Sequence, residues 1–146
     1  MRVYLVQHAE AKSEEEDPER RITEKGRKET EKVAEFLKKA GVKVDVIFHS
    51  TKTRVKQTAQ IFSEYLGAKV EEKDYLEPLA DPKIWAERIR EEKRNVMIVG
   101  HLPHLSKLLK ELVGCEVIKF RYSGVLCLER EEETLKVLWY VTPDII

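Results

Sequence analysis

Apolar positions along this chain follow two rhythms that alternate. Short unbroken runs fall at residues 2–6 (RVYLV), 45–49 (DVIFH) and 95–99 (NVMIV). Runs of that length, rich in β-branched residues, predict strands that are buried on both faces. Between them lie longer stretches with apolar residues three and four apart. Residues 24–40 put Val33, Ala34, Phe36, Leu37 and Ala40 on one side, with Thr23 as a candidate N-cap and Gly41 just past the end. Residues 53–66 repeat the pattern with Ala59, Ile61, Phe62, Tyr65 and Leu66, and close at Gly67. Two further helices are predicted at 83–93, after Pro82, and at 103–113, where Pro103 suits a first turn. The charged run 68–73 predicts a weaker strand near an edge. Residues 124–129 and 134–141 predict an antiparallel hairpin around the acidic turn Glu131–Glu133.

Strands alternating with helices predict an α/β fold. The expected form is a three-layer α/β/α sandwich with a mostly parallel central sheet and a C-terminal antiparallel hairpin. The three most apolar strands belong at its centre. No repeat or low-complexity linker divides the chain, so residues 1–146 are expected to form one domain. The one long polar insertion is Glu10–Arg21 (EAKSEEEDPERR). It reads as a solvated loop, with a mobile flap beside a site as the functional alternative.

Composition narrows the function. The 146 residues are 42% apolar and 37% charged, which excludes disorder as the main state. Lys plus Arg is 27 and Asp plus Glu is 27, so there is no basic excess for nucleic acid or a membrane surface. No apolar run approaches the length that crosses a bilayer. The opening residues carry charge too early for a signal peptide, so a cytoplasmic location is expected. Cys115 and Cys127 have no metal-ligand spacing and read as core or edge residues. Glutamate is 22 and lysine 17, against one Asn and three Gln, a balance found in proteins of hyperthermophiles.

The chemistry gathers where the central strands end, which is where open α/β sheets bind ligands. Gln7-His8-Ala9-Glu10 follows the first strand. Ser50-Thr51-Lys52-Thr53-Arg54 follows the second, and Gly100-His101-Leu102-Pro103-His104 the third. Two histidines and an arginine beside two helix N-termini describe a phosphate site. Arg54 offers a permanently charged fork, and Ser50 or Thr51 a cap or a donor to phosphate. One imidazole can attack phosphorus while the other donates to the transferring group. His49 and His104 read as structural.

These junctions resemble the histidine phosphatase superfamily, the phosphoglycerate-mutase-like fold, and within it the small SixA-type phosphohistidine phosphatases. Gln7-His8-Ala9 stands where the family has Arg-His-Gly or Arg-His-Ala. Ile22-Thr23-Glu24-Lys25-Gly26 matches its Leu-Thr-x-x-Gly. Ser50, Arg54, Gln57 and Thr58 match Ser-x-x-x-Arg-x-x-Gln-Thr, and Val99-Gly100-His101 matches Val-Gly-His. Pro78-Leu79-Ala80-Asp81-Pro82 matches the Pro-x-x-Asp-Pro of SixA-like members, and Gly124, Trp139 and Pro143 follow their closing pattern.

The resemblance implies a phosphatase that needs neither metal nor cofactor. His8 would carry the phosphoryl group, and Arg54 and His101 would hold it. Arg20, just before the Ile-Thr-x-x-Gly segment, would reach the phosphate too. Gln7 and Ser50 complete the expected phosphate-binding set. Glu77 and Asp74 lie where larger members keep an acid, but Glu77 reads as surface charge. Few insertions enclose the site, which suits a phosphohistidine-bearing protein or a small phosphate ester, with inorganic phosphate as product. No strongly apolar segment stands exposed, so a monomer is expected.

Gln7 departs from the family, which has arginine there. An amide brings no charge and no fork. Losing one charged transition-state contact costs roughly 10²–10³ in rate. Either Arg20, Arg21 or Lys52 supplies the missing charge and a modest activity remains, or the chain is a weak or inactive relative. Three readings therefore stay open: a phosphohistidine phosphatase, a small-molecule phosphomonoesterase and a non-enzymatic phosphate- or phosphoprotein-binding module.

Overall fold

The computed structural model describes residues 1–146. Six strands form one sheet: β1 (Arg2–Gln7), β2 (Val46–His49), β3 (Lys69–Glu72), β4 (Val96–Gly100), β5 (Val125–Glu131) and β6 (Thr134–Val141). Four helices connect them: α1 (Glu24–Lys39), α2 (Thr53–Leu66), α3 (Pro82–Glu91) and α4 (His104–Val113). The spatial order is β3-β2-β4-β1-β5-β6. The first four run parallel, while β5 and β6 are antiparallel. The α/β expectation holds, with the three apolar strands side by side in the interior and the charged β3 at an edge. The acidic hairpin turn is tighter than the sequence predicts, because pairing continues through Glu131 opposite Thr134.

Both faces of the sheet are covered, and strand alternation divides them. Val3 and Leu5 of β1 point into one core with Val96 and Ile98, packed against Trp85 and Ile89 of α3 and Leu105 and Leu108 of α4. Tyr4 and Val6 point into the other with Ile47 and Met97, packed against Val33 and Leu37 of α1 and Ala59 and Phe62 of α2. The period of two in each strand therefore meets helices on either side. Cys127 lies in the second core and Cys115 is exposed. No helix is long and apolar enough to cross a membrane.

The helix ends are built from the residues the pattern marked. Thr23 caps α1 by accepting from the Gly26 N–H at 2.9 Å, and its hydroxyl donates to Glu10 Oε1 at 2.8 Å. Gly26 is required here, because a Cβ would stand 2.4 Å from the Glu10 carbonyl oxygen. The helix start and the Glu10 end of the Glu10–Arg21 insertion are thus pressed together. Asp81 caps α3, with Pro82 in the first turn.

The insertion is tied down rather than free. Lys12 N–H donates to the Arg21 carbonyl and Thr23 N–H to the Glu10 carbonyl, each at 2.9 Å, and Ala11 bridges Ile22. Inside it, Asp17 accepts from the N–H groups of Glu19 and Arg21 at 3.1 Å. Arg20 sits at φ 51° in that turn, a conformation that re-aims its side chain relative to its neighbours.

Candidate active site

Register brings the two histidines together. In the β1–β4 pair Gln7 stands opposite Gly100, so the next residues, His8 and His101, leave the sheet side by side. The ladder extends one step as His8 N–H donates to the Gly100 carbonyl at 3.1 Å. The two rings lie 5.4 Å apart, edge to face. In the β2–β4 pair His49 stands opposite Val99, which sets Ser50 beside this junction. Ser50 Oγ lies 2.8 Å from His101 Nε2. Ser50 is therefore turned to His101 and does not cap α2, whose N-cap is Lys52 with no side-chain bond.

The state of His8 is fixed by its hydrogen bond. Its Nδ1 lies 2.7 Å from the Ala9 carbonyl oxygen, which can only accept. Nδ1 must carry the proton, so the Nε2 lone pair is free. Burial lowers the His8 pKa to about 4, against the pull of the Ala9 carbonyl, and the charges of Arg54 and Arg20 push the same way as burial. His101 is lowered to about 3 by burial, then by His8, Arg54 and Lys52. Both imidazoles are neutral at pH 7. His101 Nδ1 has no partner in the protein.

Positive charge collects here, and neither Arg54 nor Arg20 is held in an ion pair with a carboxylate. Arg54 is pushed down by burial first and by Arg20 next, while Tyr122 and Glu14 oppose weakly. Its Nε is buried with no hydrogen-bond partner. A buried guanidinium N–H left unpaired is costly unless an anion meets it. Arg20 donates its Nε to the Lys12 carbonyl at 2.9 Å, which pins the stem and leaves the other nitrogens of the guanidinium free. Arg21 is unavailable, because Asp17 at 3.4 Å and Glu19 both hold its guanidinium. Lys52 acts on His101 rather than on His8. Of the three candidates to replace the charge missing at Gln7, Arg20 is the one whose charge acts on both His8 and Arg54. Gln7 itself is 9% exposed, and its amide makes no hydrogen bond within the protein.

Several motif residues turn out to brace the site. Thr58 Oγ1 accepts from the Ala9 N–H at 2.9 Å and donates to the Arg54 carbonyl at 2.8 Å. It locks the loop after His8 to the helix that carries Arg54. Gln57 Oε1 accepts from the Ile22 N–H at 2.8 Å and anchors the Arg20 loop to the same helix. His49 donates its Nδ1–H to the Ser50 carbonyl at 2.9 Å. His104 is wholly buried, with neither ring nitrogen partnered. Asp74 is drawn off to Arg88 at 3.0 Å, and Glu77 acts on His104.

Tyr122 was not marked by the sequence. Its ring stands 5.6 Å from the His8 ring, and a parallel bridge to Gln7 holds it there. It lies in the stretch 114–123, which has neither helical nor strand period, so only contact across the sheet reveals it. The same stretch supplies Ser123, whose Oγ lies 2.7 Å from Thr30 Oγ1 of α1.

A neutral imidazole with a free Nε2, under the charges of Arg54 and Arg20, can attack a tetrahedral phosphorus while guanidinium donors hold the charge that develops on its oxygens. The model of the histidine phosphatase superfamily (branch 1) matches residues 3–79, and the chain belongs to that superfamily. Within it, the fold is that of the SixA structures. The chain resembles the protein histidine phosphatase SixA complexed with tungstate at 24% identity, covering 99% of this chain and 98% of that one, with a TM-score of 0.89. A structure assigned as a SixA phosphohistidine phosphatase from Agrobacterium tumefaciens is 27% identical over 97% of each chain, with a TM-score of 0.83. A mutant phosphoserine phosphatase of Entamoeba histolytica, in complex with phosphoserine, has the same fold at 12% identity, covering 95% of each chain, with a TM-score of 0.75. No curated protein sequence matches significantly.

Proposed function

We propose that residues 1–146 act as one metal-independent phosphohistidine phosphatase domain, working in the cytoplasm on a phosphohistidine-bearing protein. The observation that carries this reading is the state of His8. Its Nδ1–H is committed to the Ala9 carbonyl, its Nε2 lone pair makes no hydrogen bond within the protein, and the charges of Arg54 and Arg20 act on the ring.

His8 Nε2 attacks phosphorus, and the bond from phosphorus to the leaving nitrogen breaks. That nitrogen keeps the electron pair and takes a proton from water. The phosphoryl group now rests on His8. Water then attacks phosphorus, the bond to Nε2 breaks and inorganic phosphate departs. Arg54 and Arg20 hold the phosphoryl oxygens throughout, and His101 donates from Nδ1 while Ser50 occupies its Nε2. Gln7 offers an uncharged amide donor at the same junction. A displaced imidazole is a better leaving group than an alkoxide, so the reaction does not require Glu77 or Asp74 as an acid.

Arg20 replaces the charge but not the position of the family's arginine. A slower phosphatase is therefore expected, not an inert one. The test is phosphate release from a phosphohistidine-bearing phosphocarrier protein and from phosphoserine, with wild type, His8→Ala and Gln7→Arg side by side. Wild-type turnover on phosphohistidine, absent in His8→Ala and raised roughly 10- to 100-fold in Gln7→Arg, is the expected result. Faster release from phosphoserine would assign a small-molecule phosphomonoesterase. Phosphoprotein binding without release in either wild type or Gln7→Arg would assign a binding module.

A further inference from the structure

Tyr122 and Leu102 rim the site, 43% and 38% exposed, and the phosphoryl chemistry uses neither. The Tyr122 ring is tilted 40° to the His8 ring. Its backbone is fixed on two sides. In its bridge to Gln7 the Ser123 N–H donates to the Gln7 carbonyl at 2.9 Å, and the Arg121 N–H donates to the Tyr140 hydroxyl at 2.8 Å. A ring mounted on such a turn presents a wall held in place.

Tyr122, Leu102 and Gln7 line one open groove of about 370 Å³, with Phe120 also in its wall. Tyr122 lines the groove and its ring stands 5.6 Å from that of His8, so the groove borders the phosphoryl site. Its charges cancel. Lys25, Lys119 and Arg121 are matched in number by Glu10, Glu29 and Asp144. Arg121 lies 3.7 Å from Asp144 and Lys25 lies 4.0 Å from Glu10. The lining carries no net positive charge for a second anionic group, and the neutral Gln7 adds none.

We infer that Tyr122 is a specificity-determining residue: with Leu102 it forms a slot that takes a flat, uncharged aromatic leaving group in preference to an alkyl or anionic one. The inference rests on the phosphoryl site proposed above. An aromatic face against Tyr122 gains offset or edge contact that an alkyl chain of similar size does not.

The test reads binding, so it does not depend on turnover. Phenylphosphonate and propylphosphonate are titrated calorimetrically into wild type, Tyr122→Ala, Tyr122→Leu and Tyr122→Phe. Wild type is expected to bind phenylphosphonate roughly 5- to 10-fold more tightly than propylphosphonate. That ratio should fall to about 1 in Tyr122→Ala and Tyr122→Leu, and persist in Tyr122→Phe. Equal binding by wild type, or a preference that survives loss of the ring, overturns the slot alone. Weakening of both phosphonates by the same factor assigns Tyr122 a purely structural role and also overturns it. Failure of wild type to bind either phosphonate overturns the phosphoryl site, and the slot with it.

Discussion

The carboxyl ends of β1 and β2 carry the same local device, and only one of them sits among the groups that make a site. His8 and His49 are each 7% exposed, and each donates Nδ1–H to the carbonyl of the next residue. Both rings therefore hold the same tautomer for the same reason. The neighbouring strands differ. β1 lies against β4, whose end delivers His101 beside His8. β2 lies between β4 and the edge strand β3, where His49 stands opposite Val99 and Glu72. Arg20, Arg54 and Tyr122 all act on or near His8. A strand-end histidine with a free Nε2 is thus a local product of the chain, and its use depends on what the adjacent strand brings.

The sharpest way to break that comparison is to remove each ring in turn. His8→Ala should lower phosphate release by roughly 10³-fold or more, because no other imidazole has its place. His49→Ala should keep kcat within a few-fold and lower stability by about 1–3 kcal/mol, the usual range for losing a packed buried side chain. Phosphate-release kinetics with thermal melts on both variants decide it. Equal loss of activity in the two would mean that the neighbouring strand does not distinguish them.

The same contrast explains what could be read from the sequence. The strands, the helices and the order of the polar junctions follow from hydrophobic period and turn residues, which are local. Thr23 and Gly67 were legible as caps for that reason, and Gly67 does close α2 at φ 71°. Arg20 and Arg21 were not separable. Which one is free depends on the φ 51° turn and on Asp17, and a linear reading does not show that geometry. Ser50 could have capped α2 or turned away, and only the β2–β4 register decides for His101. Thr58 and Gln57 stood in the sequence only as motif matches with no role assigned, and they tie loops together. Their hydrogen bonds span 49 and 35 residues, distances at which sequence spacing carries no signal.

Titration sharpens the comparison further. An unfolded histidine titrates near 6.5. In the folded protein burial lowers His8 to about 4 and His101 to about 3. Below pH 6.5 the unfolded chain takes up protons that the native site refuses. Stability is therefore lost as pH falls from 6.5 through about 4 toward about 3, and it is full above 6.5. Denaturant melts between pH 7 and 4 should show ΔG falling with acid, more steeply in wild type than in His8→Ala. The acid limb of kcat/KM, corrected for the substrate's own ionisation, should lie near pH 4, where the Nε2 lone pair is lost. The two rings repel each other's charge, so the limb belongs to the pair. A limb near 6.5 would mean that the His8 pocket is not desolvated.

The smallest effect concerns the other pair, His101 and His104, three residues apart at the start of α4. His101 has Ser50 at 2.8 Å, whereas His104 is wholly buried with both ring nitrogens unpartnered. Burial lowers the His104 pKa, and Glu77 and Asp81 only partly oppose it. A leucine of similar volume would remove two unsatisfied polar atoms from a helix face already built of Leu105, Leu108 and Leu109. His104→Leu should therefore stabilise the fold by about 1–2 kcal/mol at pH 7. The gain should grow as pH falls below 6.5, because one fewer buried imidazole resists protonation. Phosphate release should stay within a few-fold of wild type, since His104 makes no hydrogen bond to any of the groups proposed to hold the phosphoryl. Melts of both proteins at pH 7 and pH 5 settle the matter. A destabilised variant, or a gain identical at the two pH values, would mean that the His104 ring has a partner in solution, and the contrast with His101 would fail.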